Sequence, residues 1–188
     1  MTDLVALHRR AVDEFGSRVM AVGYGQWKLP TPDAEWDVHT LVNHLVYENR
    51  WTPPMLEGRT VEEVGDRLEG DLLGDDPQAA WTQASTEALS AVGDDGALER
   101  AVHASFGDIS GEIYVSQLVA DHLIHAWDLA RAIGVDERLD PELVEFAFEF
   151  LVPQLDEWRQ AGAFGKPFDP PPGADRQAQL LALTGRQP

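Results

Sequence analysis

Hydrophobic positions recur along this chain at intervals of three, four, seven and eight residues, the period of α-helices with one buried face. The first such segment runs from Thr2, a candidate N-cap, to about Met20, with Val5, Val12, Phe15 and Val19 on or near one face and Gly23 and Gly25 beyond its end. After a proline-punctuated loop, Asp37 is the expected N-cap of a second helix carrying Val38, Leu41, Val42, Leu45 and Val46, which Pro53 and Pro54 bend or end. Thr60 and Glu63 have capping-box spacing for a short piece. Asp76-Pro77 then opens a third helix through Trp81, Ala84, Ala88, Leu89 and Val92, stopped by the glycines at 93 and 96. Residues 101–106 read as an extended excursion that ends at the turn signal Gly107-Asp108.

From Ser110 a fourth helix places Tyr114, Val115, Leu118, Val119, His122, Ala126, Leu129 and Ile133 on one broad stripe and stops at Gly134. Asp140-Pro141 opens a fifth through Leu143, Phe146, Phe150 and Leu151, whose end must absorb Pro153. A Gly- and Pro-rich tail from Gly162 to Gly173 is expected to cross the surface before Leu180-Leu181-Ala182-Leu183 docks back. Long helices, short loops and little strand signal predict an all-α fold, a helical bundle in a single domain spanning 1–188.

Composition narrows the function. A chain of 188 residues with 44% hydrophobic content can bury a substantial core. Its 33 Asp and Glu against 14 Lys and Arg give a formal charge of −19, which repels phosphate backbones and anionic membranes, so neither nucleic acid nor membrane is an expected partner. There is no cysteine, so thiolate ligands and a cysteine nucleophile are excluded, and any thiol chemistry needs a borrowed thiol. No basic region followed by an apolar stretch opens the sequence and no apolar run of about 18 residues occurs, which predicts a cytoplasmic protein.

Against that background one segment of the fourth helix carries the chemistry. Asp121 and His125 lie four residues apart, about one helical turn, on one edge of the apolar stripe. His44, in line with Leu41 and Glu48 at the edge of the second helix, can supply a third donor, and two histidines with one carboxylate and an open position make a common catalytic metal site. Each residue also has a plainer reading: Asp121 as a solvated carboxylate, His44 as an exposed histidine, His122 as a hydrogen-bonded core residue at the centre of the stripe. His8, His39 and His103 lack partners at ligand spacing and read as surface or structural residues. Asp128 and Arg131, three apart, read as a local ion pair or a cap. The tryptophans read mainly as packing, with room for one to wall a pocket. Nucleotide-loop, hydrolase-elbow and zinc-protease signatures are absent.

The segments Trp36-Asp37-Val38-His39-Thr40-Leu41-Val42-Asn43-His44-Leu45-Val46 and Asp121-His122-Leu123-Ile124-His125-Ala126-Trp127-Asp128-Leu129-Ala130-Arg131-Ala132-Ile133-Gly134 resemble the DinB-like metal-binding proteins related to the N-terminal domain of mycothiol-dependent maleylpyruvate isomerase. The closing Leu180-Leu181-Ala182-Leu183-Thr184-Gly185-Arg186 resembles the ending of the stand-alone subgroup. The resemblance implies a DinB-like four-helix bundle, here with an additional C-terminal helix and tail. It also implies a divalent metal, zinc first and nickel or another transition metal as alternatives, held by His44, Asp121 and His125. Relatives include isomerases and transferases in which the metal activates a low-molecular-weight thiol cofactor. The isomerase has glutamate where this chain has Asp121, and a C-terminal domain that adds to its active site, which puts maleylpyruvate isomerisation itself in doubt.

Two functions follow from that resemblance. One is a metal- and thiol-dependent transferase or isomerase acting on a small molecule. The other is a non-catalytic metal-binding or oligomerising bundle, a homodimer being one form, in which a fourth donor such as His122 or Glu48 closes the metal's coordination. Basic residues in the pocket able to hold an anionic thiol would favour the first.

Overall fold

Asp3 starts the first helix by accepting a hydrogen bond from the Ala6 amide at 3.1 Å. The computed structural model describes residues 3–170 and 172–188, so Thr2, the expected cap, lies outside the described residues. Helices α1 (Leu4–Ala21), α2 (Val38–Leu56), α3 (Val61–Val64), α4 (Pro77–Val92) and α5 (Gly111–Ile133) follow in order. Asp3 thus takes the capping place expected of Thr2, and from α2 to α5 the caps are those the sequence marks. Asp37, Asp76 and Ser110 each accept from a first-turn amide, Thr60 and Glu63 form a reciprocal capping box, and Gly134 closes α5 in the left-handed conformation (φ +76°) that glycine adopts without strain. α2 continues through Pro53 and Pro54 to Leu56, so the prolines sit in its last turn and do not break it earlier.

The fold is a helical bundle. α1 packs on α5 and α4, and α2 packs on α4 and α5, which closes a ring of four around a shared apolar core. α5 is its central element: every residue from Leu118 to Ala130 except Asp121 is buried, a wider burial than one stripe, because α6 (Pro141–Leu151) covers a further side. Gly111 is required where α5 begins, since a Cβ there would stand 2.1 Å from the Ala97 carbonyl oxygen.

The extended excursion is half of a hairpin. Strands β1 (Ala101–Ala104) and β2 (Gly107–Ser110) pair antiparallel from Ala101 opposite Ser110 to Ala104 opposite Gly107. The turn is Ser105-Phe106, and the expected turn residues Gly107 and Asp108 open the second strand. After α6, Pro153 falls in a single 3₁₀ turn (Val152–Gln154), and the chain resumes as α7 (Leu155–Gln160), which the proline hid from periodicity. α8 (Arg176–Leu183) returns onto α6, the docking the apolar run predicts.

His8 and His122 are core residues. His122 is fully buried and its Nδ1 donates to the Leu118 carbonyl at 2.8 Å, while its ring lies 6.0 Å from that of His8, neither of whose nitrogens is hydrogen bonded. Burial, with His122 and Arg9 adding, pushes the His8 imidazole down to about 3. A folded-state value below the unfolded 6.5 means the unfolded chain takes the proton first, so stability is present above pH 6.5 and is lost as pH falls towards 3. Urea unfolding of His8→Leu across pH 6.5 to 4 is expected to show a slope shallower than the parent's by about 1.4 kcal/mol per pH unit. Identical slopes would contradict a neutral buried His8.

Candidate metal centre

The structure brings together the three residues the sequence singles out. α2 presents His44 and α5 presents Asp121 and His125 one turn apart, and one donor atom of each lies within 4.8 Å of the others. His44 Nε2 is 3.3 Å from Asp121 Oδ2, and His125 Nε2 is 3.4 Å from Asp121 Oδ1. The imidazole planes stand at 76° with their centroids 5.3 Å apart, so the two Nε2 atoms converge on the carboxylate from different directions.

Asp121 Oδ2 is buried with His44 Nε2 3.3 Å away but accepts no aligned hydrogen bond, which leaves it open to a further partner. Two imidazole nitrogens and one such oxygen are the donor types that divalent transition metals take, so the residues present fit the ion their spacing suggests. Burial raises the Asp121 carboxyl, but the His125 charge and then the His44 charge outweigh it and hold the group well below the usual carboxylate range. Burial likewise lowers His125, but Asp121 and then Asp128 bring it up to about 9.

A network behind His125 fixes its orientation. Its Nδ1 donates to Asp128 Oδ2 at 2.9 Å, which directs Nε2 towards Asp121. Asp128 is fully buried and is held in turn by Arg186, whose Nη2 and Nε donate to its two oxygens at 2.8 and 3.2 Å. The third guanidinium nitrogen, Nη1, donates to the Thr184 carbonyl. The expected Asp128–Arg131 pair does not form. Arg131 turns outward to Glu137 and lies 4.4 Å over the Trp127 ring, because Asp128 faces the core and Arg131 the surface.

Trp36, at the end of the loop before α2, stacks on His125 at 5.5 Å and leans on His44 at 4.8 Å. That loop is pinned to the start of α2 by the bond from the Val38 amide to the Leu29 carbonyl and from the His39 amide to the Trp27 carbonyl. Glu48, one turn after His44, is pushed up to about 7 by burial and by the Asp121 charge, which places it beside the centre and outside the three. His122 points into the core, His39 Nε2 lies 3.6 Å from Asp71, and His103 Nδ1 pairs with Asp108.

The three residues form part of the wall of a cavity of about 540 Å³, closed on the far side by α7 and the loop that follows it. Trp158 and Phe164, stacked on one another at 5.9 Å, face the centre across this space. Asp121 keeps 32% of its side chain exposed, whereas His125 keeps 8%, so the open side of the cluster is the cavity side.

A bundle whose helices converge two histidines and an aspartate on a cavity belongs to the class of helical proteins built around a candidate metal centre. Residues 8–130 match the family model of the mycothiol maleylpyruvate isomerase N-terminal domain, and the chain belongs to that family. Relatives include uncharacterized proteins from two strains of Mycobacterium tuberculosis, each 30% identical over 145 residues that cover 75% of this chain and 73% of the relative. No solved structure matches the chain at a significant level. The matched span contains His44, Asp121, His125 and Asp128, whereas Arg186 and the aromatic wall at 158–164 lie beyond it. Among the described residues, no helix is long and apolar enough to cross a membrane.

Proposed function

We propose that residues 1–188 act as one domain in which His44, Asp121 and His125 hold a divalent transition metal and present it to a low-molecular-weight thiol, in a transferase or isomerase reaction on a small molecule. The observation that carries this reading is the convergence of two Nε2 atoms and a carboxylate on the wall of a cavity. Zinc suits an imidazole and carboxylate donor set, with nickel or another transition metal as alternatives. The thiol must come from outside, because the chain has no cysteine, and membership of a family named for mycothiol supports a thiol of that type.

A bound divalent ion would supply Lewis acidity, which stabilises the thiolate form of a coordinated thiol near neutral pH. The chain's own groups prepare the place. His44 and His125 would each give a metal an Nε2 donor, and Asp121 a carboxylate oxygen. Asp128 holds the Nδ1 proton of His125, so Nε2, on the Asp121 side, is the nitrogen that would give up its proton to a metal. Trp36 covers the two imidazoles and keeps water off one flank. The cavity of about 540 Å³ has room for a thiol and a second small molecule.

Metal analysis of protein purified without a polyhistidine tag, followed by titration with a small thiol, tests this. The expected result is one equivalent of a divalent metal per chain and a thiol-dependent change at the metal. Absence of stoichiometric metal after reconstitution with zinc would overturn the proposal.

A further inference from the structure

The charge around the cavity restricts what can enter it. Asp33 and Glu35 line it together with Asp121, and Asp128 stands directly behind His125. Against these four carboxylates, the described lining holds one guanidinium, Arg186, and no amine. That guanidinium is already committed: all three of its nitrogens donate to Asp128 or Thr184, and its side chain is only 10% exposed. Burial alone would lower its pKa, but the charges of Asp128, Asp33 and Asp121 raise it, so three carboxylates already draw on this one cation. Away from the metal position, a ligand carboxylate would therefore find no free guanidinium or amine in the described lining and would meet Asp33 and Glu35 instead.

The remaining walls offer the opposite preference. Trp36, Trp158 and Phe164 present aromatic surface, which takes apolar groups by burial and cations by their negative ring faces. The chain's formal charge of −19 adds a long-range field of the same sign as the rim.

We propose that this cavity admits uncharged or cationic ligands and turns away those bearing carboxylates, with Asp33 and Glu35 as the residues that set the selectivity. The inference rests on the thiol-binding reading above and narrows it: the free basic residues that an anionic thiol would need are absent from the described lining, so the thiol and its co-substrate are of the uncharged or cationic class and a dicarboxylate is the wrong one.

Three thiols of similar size separate the possibilities: 2-mercaptoethanol (neutral), 2-aminoethanethiol (cationic) and 3-mercaptopropionate (anionic), each titrated into cobalt-substituted protein and followed by the thiolate-to-cobalt absorption band. Because the thiols differ in acidity, salt dependence and a variant carry the test together with the affinities. At low ionic strength 3-mercaptopropionate is expected to bind at least about tenfold more weakly than 2-mercaptoethanol, with the ratio shrinking several-fold in high salt. The double variant Asp33→Asn, Glu35→Gln should shrink the same ratio at low salt. Comparable binding of the neutral and anionic thiols by the parent protein would overturn the selectivity while leaving thiol binding intact. A ratio that neither salt nor the double variant alters would overturn the assignment to these carboxylates. Failure of all three thiols to bind cobalt-loaded protein would instead overturn the thiol reading, and this inference with it.

Discussion

Replacing His125 with Ala is expected to lower metal affinity by more than about 100-fold, since loss of a residue behind a ligand already costs 10 to 100-fold and His125 is itself a donor. The bundle should survive the change. Its core is a continuous apolar cluster contributed by α1, α2, α4, α5 and α6, and His125 sits at the edge of that cluster beside the cavity. Metal content by elemental analysis, far-UV circular dichroism and thermal melts of the same variant give three independent readings. If the metal only stapled α2 to α5, chelator-treated parent protein would lose its cooperative melt, because binding free energy would then be folding free energy. The expected result is a cooperative melt for chelated parent and for His125→Ala alike, with metal content lost in the variant. Unchanged metal content in the variant would remove His125 from the donor set and sink both the catalytic and the stapling readings.

The parts of this site that were legible in the sequence are those whose geometry is local. Asp121 and His125 are four residues apart on one helix, so their sharing of a face follows from helical pitch alone. Helix ends were legible for the same reason, because Asp37, Asp76, Ser110 and Gly134 act on amides or carbonyls within one turn. His44 is different. Its edge position on α2 offers it as a third donor, but which helix that edge meets depends on packing across 77 residues, so spacing alone leaves an exposed histidine equally open.

Asp128 was misread for a related reason. Arg131 is a plausible local partner three residues on, yet Asp128 pairs with His125 three residues back and with Arg186, 58 residues away, and no spacing rule encodes the second of these. The cavity's aromatic wall was equally hidden. Pro153 interrupts the periodicity just before α7, and Trp158 and Phe164 fall in a short helix and loop with too few turns to display a face. The second strand of the hairpin was hidden because Gly107 and Asp108 carry a turn's composition while the turn itself is Ser105-Phe106.

Arg186→Leu is expected to be the most destabilising of the single changes considered, by about 3–5 kcal/mol, because it strands the Asp128 carboxylate in the core with only the His125 Nδ1 proton for company. The loss should reach the metal centre as well. Without the guanidinium, Asp128 is free to rotate and no longer fixes the His125 ring, so metal affinity should fall by about 10 to 100-fold even though no donor has been touched. A second change distinguishes charge from packing: Asp128→Asn in the Arg186→Leu background keeps a carbonyl oxygen to accept the His125 Nδ1 proton and removes the stranded charge. That double variant should recover much of the stability lost by Arg186→Leu, the coupling expected of two residues in direct contact. Urea unfolding of the parent, both single variants and the double variant measures it. A cost below about 1 kcal/mol for Arg186→Leu, or strict additivity in the double variant, would show that the C-terminal arginine does not lock the network behind His125. The predicted coupling instead makes the segment after α8 part of the centre: it supplies the counter-charge that lets a carboxylate be buried behind a donor histidine.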